Sequence, residues 1–490
     1  MIQCPTIPSK KKAVSVIVAT LILMMIAVGA AGVVYVYAQQ SLGSANLSVT
    51  ASEELSIDQV SFTLNQPVSA YVQLTITNSQ TSATSAPFQQ MVTVNPSLYT
   101  SYEATDLGNV RFYSTYSSGT FSGSIDSWLE SVASTPANQA SSATFWINIP
   151  SGIGASSSVI VYMAFLSSTS TEFDGVISGE ASQLSSTYGQ YDNGANVFLY
   201  YNSGASTSNL NVVNGGSVSV ASVTNPFGAS TSVLSLAGSG STSTSSETVA
   251  WYTSPVIGDQ FIAEGWVNIN TNLNGLFAIR GSSSSTTTNY IMGDGWSNDE
   301  AVIAYESGTT NTLLSGSGTR AAGWFWDQVT VSGSAYTVNI YSSQPYLGGT
   351  SVASTSDSDS TLGASNQYIG IATWAGSTSP AYFFEIRFRG YPPNGVMPSA
   401  TPSSLVTMTP EGATLYIRNE GSSSSTISSI YVLNATSGSL IAEVQYSSPT
   451  SFAPNTVTLV SVAFVPEVGA AYEFSIITLL GNSFSGDAIA

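Results

Sequence analysis

In the stretch "AYVQLTIT", Ala70, Val72, Leu74 and Ile76 alternate with Tyr71, Gln73, Thr75 and Thr77. A period of two puts one set of side chains into a core and the other toward water, the geometry of a half-buried strand. Similar runs recur as "SSVIVYMAF", "QVTVSGSAYTVNIYSS" and "ATLYIRNEG", each bounded by Gly, Ser, Asn or Pro clusters that end strands and start turns. The pattern predicts a mainly β chain of stacked antiparallel β-sandwich modules, one of them a jelly roll, behind a single N-terminal helix.

At 490 residues the chain exceeds what one core usually holds, so several modules are expected. Charged residues make up only 8% of it, so neutral hydrogen-bonding groups carry most of its polarity. Lys10, Lys11 and Lys12 are the only lysines; the six basic residues that follow are all arginine, against 28 acidic ones, a formal charge of −22. Such a field repels nucleic acid, whose recognition needs clustered cations, so no nucleic-acid partner is expected. There is no histidine, and the single cysteine is Cys4. A Ser-His pair, a thiolate metal site and the commonest general base are therefore excluded. At ordinary side-chain pKa values nothing after residue 12 titrates between about pH 5 and 8.

Ala13 to Ala38 carries no charge. A helix of that length, at about 1.5 Å per residue, exceeds a hydrocarbon core of about 30 Å. Lysines on its amino-terminal side alone orient it with the remaining chain outside. Ala27, Gly29, Ala30, Ala31 and Gly32 suit close helix packing, so a lipid bilayer and self-assembly through the helix are expected partners. Lys11, Lys12 and Ala13 followed by Val14-Ser15-Val16-Ile17 resemble the leader of archaeal type IV pilins. That resemblance implies a prepilin peptidase partner, cleavage between Ala13 and Val14, and helices bundled into a filament core. The localisation expected is the cell membrane, single-pass with an extracellular C-terminal region, or an extracellular filament.

The segments read as a basic leader (1–13), an apolar helix (14–40), a strand segment (41–69), a β-module (70–196), a jelly roll (197–393), a linker (394–403) and a C-terminal β-sandwich (404–490). In the first module "DLGNVRFY", "DSWLESV", "ATFWINIP" and "VIVYMAF" resemble a domain family of unknown function that precedes lectin-like sandwiches in prokaryotic surface proteins. Trp128 and Trp146 there read as core pillars, and Glu130 as a solvated acid. "FIAEGWVNI", "GLFAIRGS", "WFWDQVTVSGSAYTVNIYS" and "YFFEIRFRGY" resemble successive strands of concanavalin A-like or laminin-G-like jelly rolls. "EELSIDQVSF" and the C-terminal module resemble the strands of a pilin head split in sequence.

Hydrolases of the jelly-roll kind carry closely spaced carboxylates on one strand, which glycoside cleavage requires. No such run occurs, so no catalytic residue is assigned. Sugar binding needs an aromatic platform among neutral hydrogen-bonding groups. Trp296, with Asp294 and Asn298 beside it in "GDGWSNDE", and Trp374 in "ATWAGSTS" fit that need. No cofactor is implied beyond a calcium ion that loop oxygens of the jelly roll could hold. Asn46 and Asn434 stand in glycosylation sequons. The function expected is display of lectin-like modules for adhesion or glycan binding, with glycans or neighbouring cell surfaces as partners. A structural stalk and a glycan-cleaving enzyme are the alternatives.

Overall fold

The computed structural model describes residues 53–490 except 64–67, 118, 168–171, 185–189, 241–246, 254–257, 270–274, 286–289, 294–300, 308–309, 319–320, 363–366, 409–411 and 468. The apolar segment 14–40, the leader residues Lys11, Lys12, Ala13 and Val14, and Asn46 lie outside the described residues. The chain divides into two compact units, 1–64 with 411–490, and 65–410.

The first unit is a small sandwich. Leu55–Thr63 pairs antiparallel with Gly412–Asn419, which pairs in turn with Val457–Ala463. Facing this sheet is a second one, ordered Leu440–Phe452, Ser425–Asn434, Ala471–Thr478 and Ser483–Ile489. Leu415, Ile417, Ile430, Val432, Phe474 and Ile476 fill the space between them. Glu53 is buried and takes hydrogen bonds from Thr478 Oγ1 at 2.9 Å and Asn482 Nδ2 at 2.8 Å.

The second unit holds two sandwiches. In the smaller one, Ala70–Asn78 sits in a six-stranded sheet beside Ser157–Phe165, and its burial alternates strictly along its length. Ser399–Pro402 and Val406–Thr407 pair with the same strand. Opposite lies a four-stranded sheet ordered Phe88–Val94, Ala143–Ile149, Ser127–Val132 and Ser178–Glu180. The larger sandwich has an eight-stranded sheet, centred on Gln260–Ile269 between Ala381–Gly390 and Gly323–Ser332, and a seven-stranded sheet. Its core includes Phe261, Ala263, Phe277, Ile371, Val329 and Phe388.

A bulge decides what Ala381–Gly390 presents. Phe383, Ile386 and Phe388 all point into the core, which strict alternation forbids. The extra residue falls where Glu264 pairs with Arg387 but Trp266 pairs with Phe384, and Glu385 takes a left-handed φ of 51° to accommodate it. Gly265 faces the bulge; a Cβ there would lie 2.5 Å from Ile386 Cδ1 and 3.0 Å from its Cα. The shift turns Arg387 and Arg389 to the outer face of the sheet.

Four of the arginines, Arg111, Arg280, Arg387 and Arg389, are buried. Arg111 Nη1 donates to the carbonyls of Gly108 and Val110, and Arg280 Nη1 lies 3.0 Å from Asp259 Oδ1. Arg418 is exposed and pairs with Asp58.

The single-pass membrane localisation expected from the sequence is corrected. Among the described residues no helix is long and apolar enough to cross a membrane, and the α-helix found, Gly194–Val197, is one turn. In the described strands, backbone polar groups are satisfied between strands rather than within a helix.

The expectation that nothing titrates near neutrality is also overturned, because folding buries acids that the sequence shows only as isolated residues. Glu103, Glu247 and Glu306 are buried. Burial pushes the Glu103 and Glu247 carboxyls up to about 8; burial, with the Glu247 charge added, does the same for Glu306. Both carboxylate oxygens of Glu247 and of Glu306 lack hydrogen-bond partners. The folded state therefore binds more protons than the unfolded state between pH 4.5 and about 8, so stability falls as pH rises through that window. Denaturant melts at pH 5 and pH 8 should give the higher midpoint at pH 5, and Glu247→Gln should flatten the profile by up to about 1.4 kcal/mol per pH unit. A midpoint that rises from pH 5 to 8 would show these acids to be ionised and solvated.

Candidate functional site

The two sandwiches of the second unit meet through outer faces. The four-stranded sheet contributes Met91, Trp128, Glu130 and Trp146; the eight-stranded sheet contributes Glu264, Trp326, Gln328, Arg387 and Arg389. Strand alternation explains the selection, since Leu129, Phe145 and Ile147 go to one core and Ala263 and Val329 to the other. A bulge between Leu129 and Ser131 adjusts the strand that carries Glu130.

Arg387 is the centre. Its Nε lies 2.8 Å from Glu264 Oε1, its Nη1 lies 2.8 Å from Glu130 Oε1, and its Nη2 donates to the Tyr346 hydroxyl. Rings surround the guanidinium: Phe198 at 4.8 Å, Trp146 at 4.9 Å, Trp326 at 5.0 Å, Trp128 at 5.6 Å and Tyr346 at 5.8 Å from Cζ. Glu130 also accepts from Trp146 Nε1 and from the Tyr346 hydroxyl, both at 2.7 Å. It is 1% exposed, which corrects its reading as a solvated acid. Burial opposes the charge of Glu264, but Arg389 and Arg387 outweigh it and hold the carboxyl at about 2. Glu385 goes the other way: burial, then the nearby Glu130 and Asp192 charges, push its carboxyl well above the usual range.

Beside this buried centre a cleft of about 390 Å³ opens. Arg389 and Trp146 lie against it, with Gln328, Thr330 and Thr337 on one wall and Tyr391 on another. Arg389 is 5% exposed and uses Nε and Nη2 on Glu264, at 2.9 and 3.1 Å. Its Nη1 has no hydrogen-bond partner. A buried cationic donor left unmatched is costly, and the residue that carries it is one of those lining the cleft. Gln328 donates through Nε2 to Glu264 Oε2 at 2.9 Å, which leaves its carbonyl oxygen as an acceptor. Volume, aromatic walls and a few convergent polar groups suit a small polar ligand with an apolar side.

None of the residues singled out from the sequence for sugar binding is among those described at this cleft. Asp294, Trp296 and Asn298 are outside the described residues. Trp374 ends the strand Tyr368–Trp374 and is 38% exposed, with Gly376 close against its indole and no part in the cleft. Asn434 accepts from the backbone amides of Thr436 and Ser437, both at 2.9 Å, and so forms a turn. Among the described residues no group of three or more His, Cys, Asp or Glu could hold a metal ion. Arg389 and Gln328 escaped the sequence reading because they stand in alternating strands, with no loop signature to mark them. Only their polarity at outward positions beside aromatic residues offered a hint.

Structural neighbours include carbohydrate-binding, galectin-like and lectin β-sandwiches, and a glucuronan lyase. The chain is similar to the carbohydrate-binding module CBM66 of Bacillus subtilis, at 11% identity over 36% of this chain and 96% of that one, TM-score 0.25. It is also similar to a galectin-like protein of unknown function from Bacillus subtilis, at 12% identity over 39% and 96%, TM-score 0.27. The winged bean acidic lectin is 11% identical over 41% and 95%, TM-score 0.25. In sequence the chain is similar to uncharacterized protein 562 of Sulfolobus islandicus rod-shaped virus 1, 29% identical over 400 residues that span 76% of this chain and 67% of that protein. No family model matches, and the pilin-like reading and an archaeal source gain no support from these comparisons.

Truncating Arg387 to Met would leave Glu130 buried without its cation. A loss of about 3–5 kcal/mol is expected in urea denaturation, with Arg387→Lys intermediate because it keeps charge but not the fork. The Glu264 contribution is present above pH 4.5 and disappears only as pH falls toward about 2. Acid-induced loss of this interface should therefore set in below pH 4.5, as followed by tryptophan fluorescence; onset above pH 5 would contradict the assignment.

Proposed function

We propose that the protein is a non-catalytic glycan-binding protein and that the cleft beside Arg389 is its sugar site. The observation that carries this reading is the unpartnered Nη1 of a buried arginine bordering a cleft whose other groups are an amide, two threonine hydroxyls and aromatic rings. Sugars present apolar ring faces alongside many hydroxyls, so such a mixture matches both parts of their surface. Adhesion would follow from display of this site, with glycans as the partner.

Catalysis is disfavoured by the same geometry. The acids nearest the cleft, Glu264 and Glu130, are locked by arginine, and Glu264 remains an anion throughout the neutral range. Neither is placed to exchange a proton with a substrate.

Glycan-array screening followed by calorimetry on the full chain tests the proposal. Thr337→Arg, which fills the cleft from an intermediate-exposure position, should weaken binding at least tenfold, whereas Trp374→Ala should leave it unchanged. Binding lost with Trp374→Ala and retained with Thr337→Arg would move the site to the distal strand end. Absence of any sugar binding would favour a spacer role.

A further inference from the structure

We infer that the cleft recognises an acetamido group, so that the sugar it takes is an N-acetylated hexosamine; this rests on the glycan-binding reading above. The argument begins with the direction of each polar group. Arg389 Nη1 is a donor without a partner. Gln328 has committed one amide N–H to Glu264 and keeps a carbonyl oxygen as acceptor. One donor and one acceptor on the two strands that flank Gln260–Ile269, on the same sheet face, complement a secondary amide, whose carbonyl accepts and whose N–H donates. A sugar hydroxyl could satisfy either group, but a single acetamido group satisfies both at once.

Charge separates this ligand from an acidic sugar. Arg389 is already neutralised by Glu264, and Arg387 is held by Glu264 and Glu130. Two cations and two anions cancel, so an incoming carboxylate or sulfate finds no net positive charge here and a chain of net charge −19 around it, while a neutral carbonyl needs no counter-charge. The amide also carries a methyl group that needs apolar surface. Met91, Ile262, Pro392 and Met397 border the same cleft as Arg389, and the two methionines provide a soft, adaptable cushion. A cleft of about 390 Å³ is at the lower end of small-molecule sites, room for one or two sugar rings.

Calorimetric titrations of the full chain with N,N'-diacetylchitobiose, cellobiose, a glucuronic-acid disaccharide and a short N-acetylated glycine peptide distinguish the sources of this chemistry. The diacetylated sugar should bind at least tenfold more tightly than cellobiose, and the other two should bind more weakly still. Gln328→Met, which keeps the side-chain length and loses both the acceptor and the hydrogen bond to Glu264, should remove that preference at a temperature where circular dichroism shows the variant folded. Arg389→Lys should reduce affinity for the acetylated sugar more than for cellobiose. Equal affinity for the acetylated and unacetylated sugars would overturn the acetamido assignment and leave the glycan site standing. Equal binding of the peptide would overturn the sugar in favour of amide recognition in general, and tighter binding of the glucuronate would overturn the charge argument. Failure of all four to bind would overturn both readings.

Discussion

Everything in the second unit leans on one guanidinium. Arg387 is buried, contacts carboxylates from both sandwiches, and is enclosed by rings from both. Burying an ion costs several kcal/mol, and a pair in the interior recovers that only with good geometry and full hydrogen bonding. Here all three guanidinium nitrogens are used, and the aromatic faces add cation–π attraction that water does not weaken. The apolar alternative, two greasy faces, would pack in several registers with similar energy. A charge that must meet Glu130 on one side and Glu264 on the other permits one.

The same centre fixes the cleft. Glu264 accepts from Arg387, Arg389 and Gln328 together, so the carboxylate that holds the interface arginine also aims the two side chains at the cleft. The cleft and the architecture are thereby coupled through a group whose carboxyl is held at about 2. The bulge at Glu385 is the local cause of the whole arrangement, since an unbulged strand would send Arg387 and Arg389 into an apolar core.

How much of this was legible in the sequence can be judged from particular residues. Alternation in Ala70–Asn78 reads directly as a strand with one buried face, because burial there depends only on the neighbouring residues. Trp128 and Trp146 were recognisable as packing residues, although the space they fill lies between two sandwiches and not within one. The run "YFFEIRFRGY" hides its bulge: Ile386 and Phe388 face the core as alternation reads, but the left-handed Glu385 puts Phe383 there too and sends Phe384 to the other face. Glu130 looked solitary because its partner is 257 residues away in the chain. Periodicity is a local signal, and the site is made of contacts between strands far apart in sequence.

The burial of arginine has a consequence for proteolysis. Enzymes that cut after basic residues need an extended, accessible segment around the scissile bond. Beyond Lys12 the chain offers them six arginines and no lysine. Arg111, Arg280, Arg387 and Arg389 are buried within strands, and Arg418 is paired to Asp58 inside a three-stranded sheet. A trypsin-like protease therefore meets these five positions, four of them buried, only after the strands that hold them have come apart.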